Sequence, residues 1–353
     1  MKEAVVSKGT KVEIIDSPIP TPNDDQVLIK VIVSGSNPKD WKLPDIRPVT
    51  INQGDDITGI VEKVGASVFE FQPGDRVAAF HEMMTPHGSY AEYAIAWAHT
   101  TFHIPAATTF EEAATLPLAA MTAAVGLYQR LGLPHPWDPL PPGATTHRDI
   151  PLVIYGGASA VGIFAIQLAL RSNIHPLICV AGRAKEYVAS FLDPSKGDVV
   201  IDYRQPDEDI IGALRSSVPD GQPIRYALDA VAEKGSPQIL GAVLQGGSGS
   251  GSGSGDKAKV TFVLHGEKDI PAEIEQSITR VGCVHQEAKD FGYVYYRYMA
   301  KGLGEGWFKG QRTEVVEGGL GGVQKALEDL KAGRASGVKY VFRIGETEGV
   351  ERD

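Results

Sequence analysis

Residues 151–170 carry a pattern suited to binding a pyrophosphate, with two glycines and a third six positions after the first. Leu152–Tyr155 is a short apolar run that reads as a buried strand. Gly156 and Gly157 break it, and an apolar helix is expected from near Gly162. Strand, glycine turn and helix in that order let the backbone approach an anion. The first helical N–H groups and the positive helix end then hold it. The motif reads Gly156-x-x-Ser159-x-x-Gly162, with serine where a middle glycine often sits. Gly156, Gly157, Ser159, Ala160, Val161 and Gly162 are therefore the candidate cradle. A purely steric turn between strand and helix is the alternative, since tight turns need glycine anyway.

The next apolar run, Leu177–Val180, leads into Ala181-Gly182-Arg183-Ala184-Lys185. In a dinucleotide-binding unit an acid at this strand end bonds the ribose hydroxyls, whereas basic groups accept a 2′-phosphate. No Asp or Glu stands among these five residues. Arg183 and Lys185 are thus candidates for the phosphate, with a solvated helix start as the competing reading.

These residues need a fold to position them, and 353 residues are enough for two domains. Apolar content of 42% and charged content of 22% are ordinary for a globular chain. A formal charge of −10 argues against a general nucleic-acid binder. No apolar run is long enough to span a bilayer, and Met-Lys-Glu-Ala-Val-Val enters a strand-like pattern without a signal peptide. Cys179 lies inside an apolar run far from Cys283, which predicts a buried reduced thiol and a cytoplasmic location.

Along the first hundred residues, Val27–Val33, Ile57–Val64, Arg76–Phe80 and Tyr90–Ala96 read as strands separated by turn residues. Thr109-x-x-Glu112 is a capping-box pattern that opens a helix, interrupted at Pro117. The stretch 133–151 is crowded with proline and reads as loop. Beyond it, strand-like runs alternate with helix-like segments: Leu152–Tyr155, Leu177–Val180, Val199–Ile201, Arg225–Leu228 and Val260–Leu264. That alternation predicts a doubly wound parallel sheet. Gly246–Gly255, two glycines and four Ser-Gly repeats, reads as a flexible loop, natural or engineered. In the tail, Val323, Leu327 and Leu330 recur at helical spacing before Gly333, and Val338–Ile344 reads as a final strand.

Several separated motifs resemble the medium-chain dehydrogenase/reductase superfamily. They are Val64-Gly65-x-x-Val68-x-x-Phe71-x-Pro73-Gly74-Asp75-Arg76-Val77, then Gly88-Ser89-Tyr90-Ala91-Glu92-Tyr93, and the closing Leu330-Lys331-Ala332-Gly333. Asn37-Pro38-x-Asp40-x-Lys42 resembles the quinone-oxidoreductase-like branch. The proline-rich loop and the Tyr-Gly-Gly-Ala-Ser-Ala-Val-Gly turn are similar to those of fungal trans-acting enoyl reductases.

This resemblance implies an α/β protein with a GroES-like β-rich catalytic domain (1–123 and 284–353) and a Rossmann cofactor domain (124–283). It implies NADPH as cofactor and reduction of an activated C=C bond, with an enoyl thioester or enone as substrate. A polyketide synthase is the implied partner; neither nucleic acid nor membrane is expected, and family practice allows a homodimer. Lys42, Thr122 and Asn37 match family positions near the reacting groups, and Tyr203 matches a tyrosine near the 2′-phosphate. Turn formation, helix back-bonding and a solvated face are their structural alternatives.

Zinc-using relatives place a Cys and a Gly-His-Glu segment at the metal. The matching places, 34–37 and Gly54-Asp55-Asp56, hold no Cys or His, so no metal is expected. His81, His87, His99 and His103 are expected to be solvated loop histidines. The tyrosines at 293, 295, 296 and 298 are expected to be core packing more than a substrate channel. Two further functions stay open: quinone reduction with the same hydride donor, and a non-catalytic protein that holds NADPH beside a synthase.

Overall fold

The computed structural model describes residues 1–47, 49–144, 146–219, 222–245, 257–264 and 269–351, so Gly246–Gly255 lies outside the described residues. The chain forms two compact units. One comprises Met1–Met121 with Val281–Asp353, the other Thr122–Arg280.

In the first unit, the described strands build a sheet in the order Thr313–Val315, Lys339–Arg343, Gln26–Gly35, Asp56–Val64, Arg76–Phe80, Thr101–His103, and Tyr93–Trp97 pairs with Gln26–Gly35. Lys2–Ser7 and Lys11–Asp16 form a separate hairpin whose first strand bridges Ala91 and Ile51 and sends Ala4 and Val6 into the core. Alternation along Gln26–Gly35 sends Val27, Ile29 and Val31 into a core with Ile57, Val61, Val77, Phe342 and Leu327. The tail helix Val323–Lys331 contributes Val323, Ala326 and Leu327 to that core, and Gly333 turns the chain out of it at φ +68°.

Tyr90–Ala96 does not begin as a strand. Ala91 only bridges Glu3, and the continuous strand starts at Tyr93; Tyr90 turns inward and its hydroxyl donates to Asp40 Oδ2 at 2.6 Å. Thr109 caps Phe110–Ala113 by accepting from Glu112 N, and a new helix starts at Pro117.

The second unit holds a parallel sheet among the described residues, ordered Val199–Asp202, Ile174–Ala181, Arg148–Tyr155, Tyr226–Asp229, Lys259–Phe262, Glu275–Ile278. Taken in chain order this is 3-2-1-4-5-6, the Rossmann arrangement. Its first strand starts at Arg148, four residues earlier than the apolar run, inside the stretch expected to be loop. Pro151 has no N–H to give a ladder, and the register shifts between Asp149 and Leu152 to accommodate it. Val153, Ile178, Ala227, Val260 and Phe262 form the core with Ile239 and Leu240.

Candidate active site

At the end of the first Rossmann strand, the amides of Gly156 and Gly157 both donate to Val180 O, at 3.0 and 2.8 Å. Gly156 has φ +81°, a conformation that a side chain resists. Ser159 N-caps the helix Ala160–Arg171 by accepting from Gly162 N at 3.0 Å. The serine in the motif is therefore a cap. The cap leaves the amides of Ala160 and Val161 as the helix's first donors, at its positive end. A Cβ on Gly162 would strike Gly156 O and come within 2.8 Å of Gly157 Cα, so this glycine lets the helix sit directly on the turn.

Beyond the second strand, Arg183 is exposed and Lys185 begins the helix Lys185–Ala189. Lys185 Nζ stands 3.7 Å from Asp202 Oδ2, and Arg204 bonds both oxygens of the same carboxylate. The Arg204 hydrogen bonds, aided by Lys185, hold that carboxyl well below the usual range. Reading residues 181–185 alone misses both: the acid and Arg204 arrive from the end of the neighbouring strand. The signal was present as Asp202-x-Arg204, on either side of Tyr203. The Tyr203 ring covers Gly182, whose Cβ would come within 2.7 Å of the tyrosine Cζ.

The first unit contains a buried polar cluster that sequence reading did not anticipate. Asp56 is fully buried; its Oδ2 accepts from Asn37 Nδ2 at 2.6 Å and from Lys339 Nζ at 2.5 Å, and its Oδ1 from Leu118 N at 2.7 Å. Lys339 also reaches Asn37 Oδ1 and Thr115 O, both at 3.3 Å. A second group centres on Lys39, which pairs with Asp55 and lies 3.1 Å from Asp40 Oδ1. Asp40 Oδ2 accepts from Tyr90 OH and, at 2.7 Å, from Asn37 N.

Burial, reinforced by the nearby Asp55 charge, pushes the Asp40 carboxyl up to about 6. Burial also opposes ionisation of Asp55, but Lys39 and His81 outweigh it and the net shift is downward. The Lys39 ammonium is disfavoured by burial, yet Asp55 and Asp40 hold it charged above its ordinary range. Adjacent acids in Gly54-Asp55-Asp56 were the available signal, because such residues inside a β domain require counter-charges.

The structure places the three catalytic candidates differently. Asn37 is buried, with its side chain committed to Asp56 and Lys339. Lys42, on the helix Lys39–Ile46, is half-buried with its ammonium 5.4 Å from the Trp41 ring centre. Thr122 is buried on the helix Pro117–Ala124.

The expectation of solvated loop histidines fails for His81. It is buried, with Nδ1 3.1 Å from Asp55 Oδ1 and Nε2 3.0 Å from Pro86 O, so both ring nitrogens find partners out of water and Asp55 gains a second one beside Lys39. His87 and His99 are half-buried, and His99 Nε2 lies 2.9 Å from Val284 O. His103 is surface-lying and pairs with Asp75. Among the described residues, no three His, Cys, Asp or Glu side chains are grouped to hold a metal. Tyr295 and Tyr296 are core residues, whereas Tyr293 is exposed and carries the Arg297 guanidinium 3.9 Å above its ring. Both cysteines are buried as free thiols, and burial pushes Cys179 well above its usual range. No described helix is long and apolar enough to cross a membrane.

The fold and glycine turn define a two-unit architecture of the alcohol dehydrogenase type. The alcohol dehydrogenase GroES-like domain matches residues 23–106. The chain is similar to an alcohol dehydrogenase superfamily protein from Novosphingobium aromaticivorans (TM-score 0.74, 22% identity, 96% of this chain and 99% of that one). A mycobacterial protein solved in complex with NADPH superposes with TM-score 0.71 at 20% identity, over 97% and 99% of the chains. A trans-enoyl reductase of Gibberella fujikuroi is 48% identical over 322 residues, spanning 90% of this chain and 91% of the relative. The chain belongs to the medium-chain dehydrogenase/reductase superfamily, in its trans-enoyl reductase family.

Proposed function

We propose that this protein is an NADPH-dependent reductase of an activated C=C bond in an enoyl thioester delivered by a separate polyketide synthase. The near full-length likeness to a trans-enoyl reductase carries this reading. The glycine turn fits the cofactor: a capped helix start with the amides of Ala160 and Val161 in front suits a pyrophosphate. Arg183 and Lys185, with Arg204 beside them, would take the 2′-phosphate, and Tyr203 would flank it over Gly182.

When bound, NADPH supplies the hydride for the β-carbon of the alkene. The protein must then stabilise charge growing on the thioester carbonyl oxygen, which calls for a hydrogen-bond donor. Thr122 and Lys42 are the proposed donors. Asn37 is better suited to positioning, since its amide is already spent on Asp56 and Lys339. The reaction is proposed to need no metal, because ammonium groups already balance the acids at Asp55 and Asp56.

The test is NADPH oxidation with a short α,β-unsaturated acyl thioester, beside NADH and a simple quinone. Thioester turnover with NADPH supports the reading. Quinone turnover without thioester turnover, or NADPH binding with neither, overturns it.

A further inference from the structure

The Lys39 side chain ends in a cage of oxygens from three separate chain positions. Its ammonium pairs with Asp55 Oδ2, lies 3.1 Å from Asp40 Oδ1 and donates to Gln53 O at 2.5 Å. Asp40 Oδ1 and Asp55 Oδ2 are buried, and apart from Lys39 these two oxygens have no hydrogen-bond partner among the described residues. Two carboxylate oxygens and one carbonyl converging on a compact charge is the donor set of a hard cation. The cage walls are fixed from behind. Asp55 Oδ1 is held by His81 Nδ1 at 3.1 Å, and His81 is itself anchored on Pro86 O. Asp40 Oδ2 is held by Tyr90 OH at 2.6 Å and Asn37 N at 2.7 Å. Such outer partners orient ligating carboxylates at metal sites. The neighbouring acid Asp56 has a separate counter-ion, Lys339, so it does not compete for the charge of Lys39.

We propose that the Asp40–Gln53–Asp55 cage is a cation site whose resident ion is the protein's own Lys39 ammonium. The tethered ammonium excludes a free divalent ion, and removing it opens the cage to one. The favoured guest is a hard, oxygen-seeking cation such as Mn2+, because all three cage donors are oxygens. The sequence separates the parts: Lys39 and Asp40 open one helix, and Gln53 and Asp55 flank Gly54 before the next strand. Only the fold closes them round one charge.

The test is Mn2+ titration followed by electron paramagnetic resonance, on full-length protein whose folding is checked by circular dichroism. Lys39→Ala should bind one Mn2+ per chain, on the order of a hundredfold or more tighter than the parent protein, since a like charge has left the cage. Adding Asp55→Asn to that variant should abolish the gain. If Lys39→Ala does not fold, Lys39→Met keeps most of the buried stem and all three oxygen donors, removes the ammonium, and should bind Mn2+ in the same way. The proposal is overturned if the folded variants bind no better than the parent, if the parent already binds as tightly, or if Asp55→Asn leaves the gain intact.

Discussion

Lys339 Nζ lies 2.5 Å from Asp56 Oδ2, so two residues 283 positions apart neutralise each other inside the first unit. The lysine opens the strand Lys339–Arg343 and the acid opens Asp56–Val64, with Gln26–Gly35 between them in the sheet. The pair thus ties the returning C-terminal segment to the N-terminal one, and Asn37 and Leu118 N complete the shell around the carboxylate.

Removing one partner of this pair should therefore be costly. Lys339→Met leaves a buried carboxylate uncompensated and is expected to lower unfolding free energy by about 3–5 kcal/mol. Combining it with Asp56→Leu should restore much of the loss. Urea denaturation of the single and double variants measures both; a double variant no more stable than the single one would deny the coupling.

Gly162→Ala pushes a Cβ against Gly156 O and Gly157 Cα, both backbone atoms with little room to retreat. A stability loss of about 1–3 kcal/mol is expected from such overpacking. NADPH affinity should fall with it, because the helix start proposed to face the cofactor moves off the turn. Isothermal titration alongside thermal melting checks the two together.

Cofactor choice is tested at the second strand end. Arg183→Ala with Lys185→Ala should raise the Kd for NADPH roughly tenfold to a hundredfold while leaving that for NADH nearly unchanged. Equal NADPH affinity in the double variant would remove these residues from the phosphate site.

Stability should respond to pH through two buried groups with opposite signs. Asp40 titrates near 6 in the folded protein against an ordinary 3.8, so the unfolded chain loses its proton first. Its contribution favours folding at low pH and is lost as pH rises through about 3.8 to 6. His285 is lowered to about 4 from 6.5, chiefly by burial, so its neutral form is the one the fold prefers. Its contribution is present above 6.5 and lost as pH falls towards 4. Asp40→Asn should gain stability relative to the parent as pH rises across that window, by up to roughly 3 kcal/mol. Denaturation at several pH values reads this difference, and a pH-independent difference would contradict it.

Periodicity and turn residues were enough to read five strands of the Rossmann alternation, because each of those carries a short apolar run; Glu275–Ile278 is mostly polar, and only its pairing with Lys259–Phe262 makes it a strand. The glycine turn was equally local: positive φ, a serine cap and close helix approach all fall within Gly156–Gly162. Boundaries were harder where local chemistry conflicted with pairing. Arg148–Pro151 looks like loop by its proline, yet its neighbour Ile174–Ala181 draws it into the sheet. Tyr90 looks like strand by its aromatic side chain, yet Asp40 draws it inward.

What the sequence alone determined is whatever a short window encodes: the Rossmann repeat, the phosphate turn, the capped helix starts and the motifs of the family. Tertiary structure alone decided how the charges of the first unit are paired. Lys39, Asp40, Asp55, Asp56, His81 and Lys339 are unremarkable as separate letters, and a charged residue in a sequence is by default a surface residue. They become a site only when distant strands bring opposite charges together out of water, where each must find its partner among the others.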